Sequence, residues 1–419
     1  MKIAILGAGF TGLNAAYRLV KQGHQVVVFE KESTPGGLAS GFKNKGWSWS
    51  LERFYHHFFT SDHHLINLAK EIGLEKKLFF KSPLTATYYK KGVYPVDSPL
   101  ALLKFPHLSL TEKTRMGLAL ASLKMRSNYS DLEHITAEVW LKKSMGEKPF
   151  KVLWEPLLQA KFGTYANQVT AAWFWARIKK RSRSLGYVEG GFQTLTNHLM
   201  KKVKENGGKV VLGKEVEKIG RNHSQFSILN SQFDTVISTL PTFIFLKVVP
   251  SLPPDYIQSL SQIPHLWAQA LILELDKPFF DQIYWLNIND ASFPFLAVVE
   301  HTNFVDKSHY GDHHLLYIGN YLPDGHPYLK KSSRELLKIF TPYLKKINSQ
   351  FDNSIIRNLY LFTSPYAQPV VTVGYQPPVL QTPIRNLYLA NLDCVYPWDR
   401  GVNYAIELGE RVAKLVLGS

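Results

Sequence analysis

Lys2-Ile-Ala-Ile-Leu6-Gly7-Ala-Gly9-Phe10-Thr11-Gly12-Leu13 opens the stretch that decides the fold, and that stretch runs on to Glu30. Residues 2–6 are a short apolar run, the pattern of a buried strand. The glycines follow at once, and Leu13, Ala16, Tyr17 and Leu19 recur at helical spacing behind them. Gly23 ends the helix, and a second apolar strand, residues 25–29, closes on Glu30. Strand, Gly-x-Gly-x-x-Gly, helix, strand and acid together form the βαβ dinucleotide fingerprint in its proper context. Gly7 permits the tight turn, Gly9 a close approach of backbone to a pyrophosphate, and Gly12 close packing of helix on strand. The helix N-terminus offers free N–H groups and partial positive charge to the phosphates. Glu30 is placed to accept from ribose hydroxyls and would repel a 2′-phosphate.

The 419 residues suffice for two domains or one large interrupted one, and 45 % of them are apolar. The single cysteine, Cys394, excludes an internal disulfide. No charged and apolar leader precedes the first strand and no run reaches the length of a membrane span. A cytoplasmic protein is expected, with membrane association as the alternative. The formal net charge of +16 reads first as a lysine-rich solvated surface. An anionic membrane or anionic substrate is the sharper reading. Nucleic acid is not expected, because no recognition fold accompanies the charge.

Beyond Glu30 and Lys31, Gly36-Gly37-Leu38-Ala39 is a second close-approach point at a spacing that puts it over the same ligand. Residues 42–49 suggest a hairpin, and 65–74 a short helix. Leu51-Glu-Arg53-Phe-Tyr55-His56-His57-Phe58 is dense in ionisable and aromatic groups. It reads either as a surface loop or as a segment beside a reactive ring. The adjacent histidines do not share a helical face, so no metal site is expected. Residues 82–184 read as a helical insertion, with helices over 111–126, 136–145, 149–160 and 169–180. The first of these is a domain-surface helix or a basic amphipathic helix resting on a membrane. Trp173, Phe174 and Trp175 are consecutive and cannot all face one side. Strand–helix–strand logic returns over 186–241, with strands expected at 209–212, 215–219, 226–229 and 233–239. A second insertion supplies strands near 269–275, 295–300, 315–321 and 358–363, and a helix over 334–347. The last stretch, residues 385–409, is a strand, a loop and a helix beginning near Gly401-Val402. A helix N-terminus there would stabilise negative charge on a reduced ring.

With these pieces assembled, the chain resembles the FAD-dependent amine oxidase superfamily, which includes protoporphyrinogen oxidases, phytoene-type desaturases and, more distantly, UDP-galactopyranose mutases. The matching stretches are residues 7–30, 36–37, 186–219, 234–241 and 386–409. The resemblance implies an α/β chain: a Rossmann-like FAD-binding domain, GR2-type and discontinuous, with an α+β substrate domain made of a helical insertion and a mixed sheet. Residues 1–81, 185–248 and 375–419 would form the first, and 82–184 and 249–374 the second. By resemblance, Gly7, Gly9, Phe10, Thr11, Gly12, Glu30, Lys31, Gly36, Gly37, Leu38 and Ala39 lie on the ADP and pyrophosphate side of FAD. The backbone of Val216 meets the adenine, and Asn391, Gly401, Val402 and Asn403 sit by the flavin. Leu38 stands where amine oxidases usually have Arg, Ala270 where many have Lys, and Ala390-Asn391-Leu392 where Ala-Gly-Asp is usual. These departures point away from amine oxidation and towards the desaturase and protoporphyrinogen oxidase side. Cys394 as a covalent flavin anchor is less expected than Cys394 as core.

The absence of a second Gly-x-Gly-x-x-Gly implies that the substrate reduces the flavin directly. A small-molecule substrate, apolar or polycyclic, is expected to give a hydride to flavin N5. Arg53, Tyr55, His56, Tyr396 and Arg400, with Trp398, are the residues expected to shape that pocket. The alternative is a redox-neutral isomerase of the galactopyranose mutase type, with Arg53, Arg177 and Arg400 on a nucleotide diphosphate. A flavin-binding partner without turnover is a third reading. Oligomeric state is not legible.

Overall fold

The computed structural model describes residues 1–222 and 225–418. A five-stranded parallel sheet runs in the order Lys209–Val211, Gln25–Phe29, Lys2–Leu6, Thr235–Ser238, Leu387–Leu389. From Lys2–Leu6 the chain first builds one way and then the other. The order therefore reverses between Lys2–Leu6 and Thr235–Ser238, and the crevice beyond the carboxyl ends of these strands is where such sheets bind ligands.

Strands Lys2–Leu6, Thr235–Ser238 and Leu387–Leu389 are buried almost throughout on both faces, which explains their apolar runs. Ile3 and Ile5 face helices Phe10–Val20, Phe192–Glu205 and Val402–Leu417 through Leu13, Leu199 and Ile406. Ala4 and Leu6 face the other way, against Phe226, Ile228 and Phe233. The last three lie on the antiparallel sheet Gly220–Asn222, Gln225–Ile228, Ser231–Phe233. The expected strand at 215–219 is loop instead. Its buried residues are Val216 and Ile219, three apart rather than two, so they cannot share a strand face. Residues 43–50 are likewise loop, and only Gly41–Phe42 and Leu51–Glu52 pair.

A second, seven-stranded sheet has the order Ile356–Pro369, His265–Leu275, His314–Leu322, Ala297–Glu300, Ile283–Ile288, Leu84–Tyr89, Gly92–Pro95. It is antiparallel except between Ile283–Ile288 and Leu84–Tyr89. The stretch from residue 82 is thus strand before it is helix. Helices Pro99–Lys104, Leu110–Met125, Ala137–Met145, Glu155–Phe162 and Ala171–Lys180 follow. Ala171–Lys180 is central among them, so Trp173, Phe174 and Trp175 are all buried. Leu110–Met125 buries Met116, Ala119 and Leu123 and leaves Leu110, Leu118 and Met125 exposed. Among the described residues no helix is long and apolar enough to cross a membrane.

Candidate active site

The glycine turn lies at the reversal point of the parallel sheet. Gly7 has φ +100°, and Thr239 at the end of the neighbouring strand donates its hydroxyl to Leu6 O at 2.8 Å. A Cβ at Gly12 would stand 2.0 Å from Gly7 O, so helix and turn are as close as backbone allows. A Cβ at Gly9 would meet no protein atom within 4 Å. Space therefore opens in front of Gly9 although the helix behind it is tightly packed. The second glycine loop lies over this space. Gly36 N donates to Ala8 O at 2.9 Å, and a Cβ on Gly37 would come within 3.5 Å of Gly9 Cα. Gln193, which the sequence reading missed, pins that loop by donating to Pro35 O and accepting from Gly41 N.

Glu30 closes one end of the groove. Its carboxylate accepts from Ala8 N at 2.8 Å and Glu32 N at 3.0 Å. Gly213 and Lys214 donate to the Glu32 and Glu30 carbonyls, which sets the loop carrying Val216 beside it. Lys31 is exposed, Leu38 half-buried and Ala39 buried. Phe10 and Thr11 are buried in the first turn of their helix, Phe10 in the core.

At the other end, helix Val402–Leu417 packs on helix Phe10–Val20, with Asn14 donating to Ile406 O at 2.7 Å. Gly401 caps it in extended conformation, without a side-chain cap. Asn403 Oδ1 accepts from Leu65 N. The Asn391 side chain is fully used in tying strand ends together: it donates to Leu240 O and Thr242 Oγ1 and accepts from Asp393 N. Cys394 is buried, and burial pushes its thiol up to about 12, which makes it an inert core residue.

Tyr55, His56 and Arg400 lie deep in the protein yet keep part of their surface accessible. Tyr55 packs edge-on to Trp285 and Tyr317, and Gly319 makes room for its ring. His56 Nδ1 lies 2.6 Å from Phe54 O and must carry the hydrogen there, leaving Nε2 as acceptor. Burial lowers His56 to about 4 and His57 to about 3, so both are neutral at pH 7. Arg53 lies over the Phe362 ring, and its Nε is buried with no partner among the described residues. Arg400 donates through Nε to Gln368 Oε1 at 2.9 Å and lies over Tyr321.

Tyr396 and Trp398 bind the C-terminal loop to the helical insertion. The Tyr396 hydroxyl donates to Glu133 at 2.6 Å, and Trp398 stacks between Trp175 and Tyr404. Lys161, absent from the sequence-derived pocket, and Arg177, named there only for the isomerase alternative, join this loop. Lys161 and Arg177 reach Asp399 Oδ2 at 3.0 and 3.3 Å. Lys161 sits in a mostly apolar helix turn, Leu157-Leu158-Gln159-Ala160-Lys161-Phe162, a weak local signal for it.

The donor set suits FAD. The groove at Gly9 has room for a pyrophosphate between backbone N–H groups, Glu30 stands at its end, and two uncapped helix N-termini open onto the ligand edge of the sheet. The orphaned Arg53 Nε supplies a donor in search of an acceptor.

The chain is 30 % identical over 183 residues to a zeta-carotene desaturase of Solanum lycopersicum, an alignment that covers 38 % of this chain and 31 % of that protein. The matched part is thus about a third of that relative's length. An oxidoreductase from Methanosarcina mazei has the same fold over 100 % of both chains, with TM-score 0.77 and 21 % identity. Reduced UDP-galactopyranose mutase is similar over 100 % of this chain and 95 % of its own, with TM-score 0.76 and 16 % identity. Residues 10–417 match the model of the flavin containing amine oxidoreductase family, and the chain belongs to this family of FAD-dependent oxidoreductases.

Proposed function

We propose that the chain takes a hydride from a carbon of a small organic substrate, in the manner of desaturases and protoporphyrinogen oxidases rather than of amine oxidases. What supports the reading is a group of deep-set side chains, Tyr55, neutral His56 and Arg400, with buried Ala270 in its strand where a lysine would be needed. When bound, FAD supplies the hydride acceptor, N5 of its ring system. Gly7, Gly9, Thr11, Gly12, Glu30, Gly36, Gly37 and Leu38 would hold its ADP half, and Gly401, Val402 and Asn403 its flavin half. The cofactor domain is then of the GR2 type, comprising residues 1–81, 185–248 and 375–419, and the substrate domain comprises 82–184 and 249–374. Aromatic side chains exclude water from the donor carbon, and His56 Nε2 is free to accept a proton released beside it.

The test is anaerobic bleaching of the bound flavin by a panel of porphyrinogens, polyene isoprenoids, amines and UDP-sugars. Bleaching by a porphyrinogen or an isoprenoid is expected. Bleaching by amines alone, or a colourless protein that takes up NAD and not FAD, would overturn the reading. A redox-neutral isomerase is the second reading, favoured by the cations Arg177 and Arg400 at this site. It requires that pre-reduced protein interconvert UDP-sugars while oxidised protein does not.

A further inference from the structure

We propose that Lys161, Arg177 and Arg400 form a binding site for an anionic oxygen group of the substrate, a phosphoryl or carboxylate group. The proposal rests on the reading of Tyr55, His56 and Arg400 as part of the substrate pocket and adds the chemistry of what enters it.

The three cations come from three separate elements and meet at one place. Lys161 is on helix Glu155–Phe162, Arg177 on helix Ala171–Lys180 and Arg400 on the loop before helix Val402–Leu417. Shared rings and one shared acid hold them together. Lys161 Nζ lies 4.9 Å from the Trp173 ring centre, and Arg177 Cζ lies 5.8 Å from the same ring. Lys161 and Arg400 share the Tyr321 ring at 5.6 and 4.9 Å. Asp399 Oδ2 accepts from both Lys161 and Arg177.

The charges do not balance. Burial holds Lys161 down to about 7, so at neutral pH it is only partly charged, while Arg177 and Arg400 stand as full cations opposite one carboxylate, and among the described residues Arg400 has no ion-pair partner. Gln368 fixes Arg400 through Nε alone and is neutral, so it orients the guanidinium without compensating it. These groups are withdrawn from water: the Lys161 side chain keeps 9 % of its surface and that of Arg177 28 %. Buried charge left unpaired is strongly unfavourable, and contacts to aromatic faces recover only part of that cost. A purely structural tie between insertion and loop would need one cation for one acid. The surplus, Arg400 and the charged fraction of Lys161, is explained if a ligand brings its own negative charge. Planar guanidinium groups suit a phosphoryl or carboxylate group because both offer paired oxygens. Tyr55 and His56 lie within the field of Arg400, so an anion held there would sit beside the same pocket.

The experiment uses the flavin-loaded full chain at fixed ionic strength. Inorganic pyrophosphate, succinate and glucose are titrated separately, with calorimetry and flavin difference spectra as readouts. Saturable binding of pyrophosphate or succinate, and none of glucose, is expected. Pyrophosphate alone would assign a phosphoryl group, and succinate alone a carboxylate. Arg400→Gln and Arg177→Gln should each weaken that binding by about tenfold or more, the weight of one charge-assisted hydrogen bond. Arg400→Lys should recover part of it, and Lys113→Gln, on the surface of helix Leu110–Met125, should change nothing. Thermal midpoints of all variants show which remain folded, and Arg400→Lys keeps the charge should Arg400→Gln fail to fold. Absence of binding by both anions, or binding unchanged in Arg400→Gln and Arg177→Gln, would overturn the proposal. Flavin content is scored separately. A yellow protein without anion binding refutes only the anion site. A colourless one that binds pyrophosphate through Arg400 refutes only the FAD reading.

Discussion

Gly9→Ala and Gly12→Ala should separate the cofactor site from the fold that carries it. At Gly12 the new Cβ would lie 2.0 Å from Gly7 O, a backbone atom that cannot rotate away. Relieving that contact to about 3 Å moves helix against turn by about 1 Å, an overpacking cost of about 1–3 kcal/mol. Gly12→Ala should therefore lower the thermal midpoint of flavin-free protein and also lose flavin. At Gly9 the backbone has φ −73° and ψ 178°, which any residue adopts, and the new methyl meets no protein atom within 4 Å. Flavin-free Gly9→Ala should then unfold within about 0.5 kcal/mol of wild type. In the loaded protein the same methyl occupies the space assigned to the pyrophosphate. Losing one N–H contact to that anion removes about 1.5–3 kcal/mol, a fall in FAD affinity of about 10- to 150-fold. The assay is FAD titration of the stripped protein by fluorescence quenching, with unfolding followed with and without flavin. Wild-type FAD affinity in Gly9→Ala would refute the placement of the pyrophosphate in front of Gly9. Instability of the flavin-free variant would refute the claim that this space is empty of protein.

Three further outcomes are expected. Burial raises Glu52 from 4.5 to about 7, against hydrogen bonds from Tyr187 and Phe192 N that favour its ionised form. A raised carboxylate stabilises fully below about pH 4.5 and loses that contribution as pH rises through about 7. The stability of wild type minus that of Glu52→Gln, from urea melts, should fall by about 3 kcal/mol across that window, and a flat difference would exclude it. Tyr396→Phe removes a 2.6 Å hydrogen bond to Glu133 and should cost about 1–3 kcal/mol in thermal unfolding. An unchanged midpoint would show that this tie carries no weight. Exposed Leu110, Leu118 and Met125 on helix Leu110–Met125 should let the protein sediment with vesicles of anionic phospholipid. The double variant Leu118→Gln, Met125→Gln should bind at least about tenfold more weakly, at about 1.5 kcal/mol or more per apolar side chain, and equal sedimentation of the two would remove the membrane reading.

What was legible in the sequence was what local physics encodes. The turn at Gly7, the close contact at Gly12 and the helix starting at Val402 each follow from neighbouring residues, and the comparison with the family confirms the flavin class they imply. Strand Ile283–Ile288 was missed because its partners, Leu84–Tyr89 and Ala297–Glu300, include a parallel neighbour two hundred positions away. The strand expected at 215–219 failed because its apolar residues, Val216 and Ile219, stand three apart, which is not the two-residue period of a strand. Lys161 was missed for a different reason. Its partner Asp399 is 238 positions away, so nothing near either residue announces the pair.

The loop from Tyr396 to Arg400 links these two levels of legibility. It leads directly into Gly401 and the helix N-terminus assigned to the flavin, so its position sets what faces the ring. Yet four of its five residues are positioned from outside the parallel sheet: Tyr396 by Glu133, Trp398 by Trp175, Asp399 by Lys161 and Arg177, and Arg400 by Gln368 and Tyr321. On the proposed assignments, substrate recognition and the flavin environment share this loop. An anion held by Arg177 and Arg400 would bear on this loop through Arg400 itself and through Asp399, which shares Arg177. Changes in the helical insertion should for that reason alter the flavin spectrum as well as substrate choice, although the insertion carries none of the glycines proposed to hold the cofactor.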